Sequence, residues 1–466
     1  MLYGLEDALR LDAAVKFLVL GFDGASPTLI ERWLGELPNI RRLKRVGLFG
    51  TSTPPIPAQT PVAWATFMTG MNPGKHGVFS FVMKEPGGYN MRIASPAMLG
   101  GRTLWSLLSE AGFRVGVVNV PMAGLEKLRG FIIPGFLSKQ EGVPHPEEVQ
   151  RLVQREFGVD RVVGDVEVDY LKRVGEEPDA FLKRVNSITD QNADIGVHLL
   201  EQMEPDFYMQ VFMGTDRIQH FFWRHVDPEH PNYEEGKYTQ AVKQYYKKVD
   251  DIIGRFLKIV GGEAMVMVLS DHGFRQLHMV LPVNRHLRAA GLLKSTPEGV
   301  DWQASKAFSY GYGDIWLNVK GREPTGTVEP GEEYERLRNR IINMLKSMEF
   351  NGEKPIKDVL RREDIYWGPR VNEAPDLVAI FNVGWQAARD PEKELRGEAP
   401  VEEPARWSGT HDGAHDPADV PGFLAISGPG VRVGEINANL WDLAPTILRA
   451  FGVPIPPSVD GSPLPL

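Results

Sequence analysis

The chain has 466 residues, 42% hydrophobic and 24% charged, which suits a soluble globular protein and exceeds what one ordinary core holds. A net charge of −9 leaves no basic footprint for a nucleic-acid polymer or an anionic membrane surface. With no cysteine, disulfides, thiolate zinc sites and cysteine nucleophiles are excluded.

Residues 1–15 are charged and lack both an apolar h-region and a small-residue cleavage site, so no signal peptide is expected. Residues 15–22 form an apolar run too short to span a bilayer; they predict a first buried strand. The expected location is the cytoplasm. Asp23-Gly24-Ala25-Ser26-Pro27 follows, with Ser26 as N-cap and Pro27 as the first residue of a helix. Asp23 therefore stands just past a strand at a helix entrance, where an Asp also serves simply to satisfy local amides. A helix over 38–46 and a strand over 47–51 come next, then 54–59, too rich in proline for either.

Residues 60–70 read as a helix with Thr60 as N-cap and Pro61 in the first helical position. Capping accounts for Thr60 by itself. The same hydroxyl would also lie at the positive end of the dipole, beside free amides that bind phosphate. Residues 72–77 hold a Gly-Lys pair. The spacing of Gly70 and Gly74, and His76 in place of Ser or Thr, exclude a P-loop, so a turn is predicted.

The pattern continues with a helix over 103–111 and a strand over 113–120. Residues 121–175 are irregular and read as a candidate insertion. A helix over 178–201 and a strand over 206–213 follow. Asp216 and His220, four apart on the next helix, share a face and could grip one ion; a helix N-terminal Asp beside a packed His is the plainer reading. Residues 233–260 form a long amphipathic helix whose aromatic residues are expected to pack on the sheet.

The apolar run 266–269 stops abruptly at Ser270-Asp271-His272-Gly273. Side chains alternate along a strand, so Asp271 and His272 converge only if the strand has ended and the backbone turns, as Gly273 permits. In open α/β sheets ligands sit beyond such strand ends, although the same residues could merely close a strand. The alternation then breaks across 276–406, a second candidate insertion with strands expected near 315–319 and 376–381 and a helix over 331–348. Residues 407–416 make a polar loop holding His411 and His415; a strand at 423–427 and a helix at 442–451 close the chain. The whole predicts an α/β fold with a catalytic core of residues 1–275 and 407–466 and a cap of residues 276–406 shaping access.

Asp23, Asp216, His220, Asp271, His272 and His411 are Asp and His ligands of the kind that suit zinc, manganese or iron. If they converge, they suffice for two divalent ions, a pair that clamps a phosphoryl group and stabilises both attacking and leaving oxygens. Thr60 would supply the attacking oxygen, its pKa lowered by the cation.

These pieces resemble the type I phosphodiesterase/nucleotide pyrophosphatase branch of the alkaline phosphatase superfamily. The likeness rests on residues 19–24, 60–70 and 72–77, Asp216 with His220, residues 270–274 and 407–411, and the ending 442–446 to 460–461. It implies a three-layer α/β/α fold around a mostly parallel, doubly wound sheet with cap insertions. It also implies Thr60 as nucleophile and metal ligand, with Asp23, Asp271 and His272 on the same ion and Asp216, His220 and His411 on the second, zinc being usual. A covalent phosphothreonine, then hydrolysed, and a small-molecule phosphate ester or nucleotide substrate follow from it.

Two departures stand out. That branch carries an Asn shortly after the His-Gly pair, and here Val78-Phe79-Ser80-Phe81 follows Gly77. His415 also competes with His411, which fits the pattern. A phosphomonoesterase or phosphonate hydrolase would use the same ligands. A sulfatase requires Cys or Ser where Thr60 stands and is not expected, while a phosphoglycerate mutase uses Ser and an early inserted domain, unlike the uninterrupted run from Thr60 to Gly77. A non-catalytic binding protein would have lost a nucleophile or ligand, and all seven positions are filled.

Overall fold

The first apolar run is the middle of the main sheet. The computed structural model describes residues 15–165, 177–297, 299–397, 399–404, 407–412 and 415–466. Eight strands build that sheet: β1 (Phe17–Phe22), β2 (Gly47–Thr53), β3 (Val115–Val118), β4 (Gly130–Ile133), β5 (Phe207–Phe212), β6 (Met265–Leu269), β7 (Gly422–Ser427) and β8 (Gly434–Asn439). Their order is β8-β2-β7-β6-β1-β5-β3-β4. Only β7 runs against its neighbours; every other pairing is parallel.

Alternation along β1 feeds two cores. Leu18, Leu20 and Phe22 pack with Tyr245, Tyr246 and Phe256 of the helix Lys237–Val260 on one face. Phe17 and Val19 pack with Trp64 and Phe67 of Thr60–Thr69, and with Ile447 of Leu443–Ala450, on the other. A sheet buried on both faces needs uninterrupted apolar strands, and β1, β5 and β6 are buried throughout. Each large side chain so enclosed contributes about 1.5–3 kcal/mol. The tyrosines of the long helix do pack as expected, and their hydroxyls are also bound: Tyr245 Oη lies 2.8 Å from Thr189 Oγ1, and Tyr246 donates to Gln219 at 2.8 Å.

The strand order matters for function. β6, β1 and β5 are adjacent, so the residues just past their carboxyl ends share one edge. Asp271 follows β6, Asp23 follows β1, and β5 leads into Gly214–Phe222, which carries Asp216 and His220.

Two expectations are corrected. Residues 121–165 are not simply an insertion, because they supply the edge strand β4 and the helix Glu147–Phe157. The rest of that segment, 166–175, and residues 1–14 lie outside the described residues. Residues 72–77 form not a plain turn but a four-residue helix, Pro73–His76, capped by Asn72. Its residues clasp the chain end: Asn72 and Lys75 both bind the Asp460 carboxylate, which also accepts from Trp367 Nε1.

Beyond His272 the chain leaves the sheet along Arg275–Leu281, which pairs in parallel with Gly384–Ala387 and antiparallel with Gly409–Thr410. Between them lies a four-stranded antiparallel sheet, in the order Ala307–Phe308, Asp314–Leu317, Leu377–Phe381, Ile356–Arg361, with the helix Glu332–Lys346 against it. It encloses its own core, including Ile315, Leu317, Ile341 and Phe381. Among the described residues no helix is long and apolar enough to cross a membrane.

Candidate active site

The seven sequence-predicted residues meet in one buried cluster at the β6-β1-β5 edge. None of Asp23, Thr60, Asp216, His220, Asp271, His272 and His411 is more than 2% exposed. Asp23 is reached by the turn after β1, where Gly24 adopts φ +65° and donates its N–H to Asp271 Oδ1 at 3.0 Å. That one bond ties the two strand ends together. Thr215 Oγ1 in turn donates to the Asp23 carbonyl at 2.6 Å, fixing the start of the helix that carries Asp216.

Gly273 has a different role from the one its sequence suggested. It does not take a positive φ. A Cβ there would lie 2.4 Å from the Pro421 carbonyl oxygen, so glycine is required by close backbone approach rather than by the turn. The antiparallel pair Thr410↔Arg275 then sets His411 beside this motif. The His272 and His411 rings stack with centroids 3.5 Å apart and 12° between planes. His415, the alternative, bridges to Phe381 in the cap sheet, and burial depresses its pKa to about 4.

Thr60 is not the N-cap of its helix. Gln59 takes that place, without a side-chain cap bond, and Thr60 is the first helical residue. Its hydroxyl instead lies 3.5 Å from Asp23 Oδ1 and 3.5 Å from His272 Nε2. One turn on, Trp64 Nε1 donates to Asp23 Oδ2 at 2.8 Å.

The ligand atoms face one another as lone pairs. His220 Nδ1 lies 2.9 Å from the Gly409 carbonyl, His411 Nδ1 2.8 Å from the Ala58 carbonyl and His272 Nδ1 3.2 Å from the Gly273 carbonyl. A carbonyl only accepts, so each Nδ1 carries the proton and each Nε2 is left as an acceptor in the neutral ring. Those Nε2 atoms point at carboxylates: His411 to Asp216 Oδ1 at 3.0 Å, His220 to the same oxygen at 3.4 Å, and His272 to Asp271 Oδ2 at 3.2 Å. Asp216 Oδ1 and Asp271 Oδ2 are buried without a hydrogen-bond partner. Acceptors gathered in this way require a cation or a proton between them, and the donor set fits a divalent metal.

Two sets of candidate ligand atoms, those of Asp216, His220 and His411 and those of Asp23, Asp216 and His272, are each compact, every atom within 4.8 Å of the others in its set. Asp216 stands in both. Asp271 is outside the second group, although it contacts His272.

The electrostatics match. Burial, then the charges of Asp271 and Asp216, push the Asp23 carboxyl well above its ordinary range. Burial pushes Asp271 up to about 7. Burial would raise Asp216 as well, but His220 and Arg217 hold it well below the usual range. Burial lowers His220 and His272, whereas for His411 the facing Asp412 and Asp216 outweigh burial and raise the proton affinity. A cation taking that proton's place would meet the same two carboxylates.

The sequence alone did not single out four supporting residues, Arg217, Asp165, Trp64 and Arg389. Arg217 donates to Asp216 Oδ2 at 2.6 Å while its Nε donates to Asp165 at 2.9 Å. Asp165 lies in the irregular segment, 52 residues away, where no pattern marks it. Trp64 could have been found, being four residues after Thr60 on one helix face. Next to His411 in sequence, Asp412 accepts from Arg389 at 2.6 Å, and the Arg389 guanidinium lies 3.4 Å from the Trp407 ring centroid.

The model of the type I phosphodiesterase/nucleotide pyrophosphatase family matches residues 17–417. The chain is similar in structure to phosphonoacetate hydrolase from Sinorhizobium meliloti, solved with phosphonoformate, with a TM-score of 0.59 and 18% identity over 95% of this chain and 96% of that one. It is also similar to murine ectonucleotide pyrophosphatase/phosphodiesterase 5, solved as an inactive threonine-to-alanine form with AMP. There the TM-score is 0.56 and the identity 16%, over 96% of this chain and 97% of that one. The human counterpart gives 0.56 and 15%, over the same shares. No curated protein sequence matches. The chain belongs to the type I phosphodiesterase/nucleotide pyrophosphatase family of the alkaline phosphatase superfamily and is a phosphoester hydrolase.

Proposed function

We propose that the protein hydrolyses phosphodiesters of small molecules, nucleotides among them, with Thr60 as nucleophile and two divalent cations, zinc above all, in the ligand cluster. Asp23, Thr60, Asp271 and His272 would hold one ion and Asp216, His220 and His411 the other. The observation that carries this reading is the position of the Thr60 hydroxyl. It caps no helix and instead faces Asp23 and His272 at 3.5 Å inside a set of converging lone pairs. When bound, the cations would offset the charge of the phosphoryl group and lower the pKa of the attacking hydroxyl.

The residues of the chain do the rest. Thr60 Oγ1, at the N-terminus of Thr60–Thr69, attacks phosphorus in line, forming the Oγ–P bond as the ester oxygen leaves. Water then cleaves the phosphothreonine and restores the hydroxyl. Trp64 keeps Asp23 oriented through its indole N–H, and Arg217 keeps Asp216 oriented while Asp165 fixes the guanidinium. The inactive threonine-to-alanine relative solved with AMP supports the choice of nucleophile and of substrate class.

Diesters are preferred to monoesters on charge. Arg217 and Arg389, which pair with Asp216 of the cluster and with Asp412 beside His411, are already held by Asp165, Asp216 and Asp412. The second negative charge of a monoester therefore meets no free guanidinium at either position. The likeness to phosphonoacetate hydrolase favours phosphonates as the second reading. Hydrolysis of bis-p-nitrophenyl phosphate, p-nitrophenyl phosphate and phosphonoacetate by the zinc-loaded protein separates the three. Thr60→Ala is expected to lose diester hydrolysis and keep its metal; a wild-type rate in that variant removes Thr60 as nucleophile.

A further inference from the structure

Gln59 lies between two residues of the cluster. The Ala58 carbonyl before it is bonded to His411 Nδ1 at 2.8 Å, and Thr60 after it carries the hydroxyl facing Asp23 and His272. The Gln59 side chain is fully buried. Its Oε1 accepts the Phe81 N–H at 3.0 Å. That bond fixes the orientation of the amide, because an N–H must face the oxygen and not the NH2 group. Gln59 Nε2 is then left without a partner among the described residues, and the buried Ser80 hydroxyl, next to Phe81, has none either. One of these unpartnered groups lies in the stretch 78–81, where an Asn is absent after Gly77, and the other is bonded to that stretch through the Phe81 N–H.

An attacked phosphoryl group accumulates charge on its non-bridging oxygens, and a preorganised neutral donor beside the nucleophile is what such an oxygen needs. We infer that Gln59 Nε2 donates to a non-bridging oxygen of the phosphoryl group attacked by Thr60, which makes Gln59 a catalytic residue of this chain. The inference rests on the phosphoryl-transfer reading above. The Phe81 N–H holds the amide by its oxygen, which leaves the NH2 group to donate.

The experiment uses the full-length zinc-loaded protein, with kcat and KM for bis-p-nitrophenyl phosphate, inhibition by orthovanadate and bound metal measured for Gln59→Ala and Gln59→Glu. Glu keeps an acceptor for the Phe81 N–H but has no donor, so it separates donation from support of the fold. Both variants are expected to keep the metal and lose kcat by about 10²–10³-fold with little change in KM. Orthovanadate, which mimics the five-coordinate group, should bind about tenfold or more weakly in both. A Gln59→Glu protein with wild-type kcat and vanadate affinity overturns the inference and leaves Gln59 as a prop for Phe81. Wild-type values in both variants overturn it as well. Thr60→Ala run alongside reports on the underlying reading: wild-type activity there defeats the nucleophile assignment, independently of Gln59.

Discussion

At the residue scale, the polar atoms of the cluster are oriented by bonds to backbone and neighbours. Trp64 is the clearest case, because its indole N–H is a fixed donor to Asp23 Oδ2. Trp64→Phe is expected to keep the fold and weaken zinc affinity about 10–100-fold, measured by competition with a chelator. Unchanged affinity would show that the bond orients nothing. His76 permits a prediction about pH. Its Nδ1 accepts the Val78 N–H at 3.2 Å and its Nε2 lies 3.1 Å from Thr66 Oγ1, so the ring is neutral. Burial, helped by Arg370, lowers its pKa from 6.5 to about 3. Between those values the unfolded chain binds a proton that the folded chain does not, so stability rises with pH there, by about 1.4 kcal/mol per unit, and is lost as the pH falls below 6.5. Urea unfolding at about pH 7 and about pH 5 should show His76→Gln losing about 2 kcal/mol less than wild type over that interval. An identical loss would contradict a neutral buried His76.

Asp23, Asp271 and His272 were legible because each follows a buried strand. Asp216 and His220 were legible through their spacing. Thr60 was only half legible: its place at a helix start was visible, but capping explained it equally well until the structure gave the cap to Gln59. Asp165 and the unpartnered Nε2 of Gln59 carry no local signal, because what defines them is a partner far along the chain or the lack of one among the described residues.

At the element scale, the strand ends create the site and small turns keep them in register. Gly24 sits at φ +65°, and a Cβ there would lie 2.6 Å from the Phe274 ring. Phe274 packs against both the His220 and the His411 rings, with centroids 4.8 and 5.1 Å away. Gly24→Ala is therefore expected to cost about 1–2 kcal/mol in backbone conformation alone, and more once Phe274 is displaced. Thermal unfolding should show the loss, with zinc affinity falling in parallel. A variant as stable as wild type would mean that the turn relaxes freely. The long buried strands could be read from apolar runs. The edge strand β4 could not, being four residues set among glycines and prolines, nor could the short cap strands Ala307–Phe308 and Gly384–Ala387, which are too brief to show a period.

At the scale of the whole molecule, a mostly parallel sheet brings Asp23, Asp216, Asp271 and His272 together past the ends of β1, β5 and β6, and the excursion between β6 and β7 folds an antiparallel sheet of its own and returns His411 beside them. The α/β class followed from alternation alone. The strand order that makes β6, β1 and β5 neighbours did not, since pairing is a long-range choice that local pattern does not encode.

The most direct test of the central claim is calorimetric titration of zinc into the metal-free protein. The account predicts about two equivalents for wild type and about one when His220 and His411 are both replaced by Ala. No binding to the wild type, or the same stoichiometry in both proteins, would contradict it.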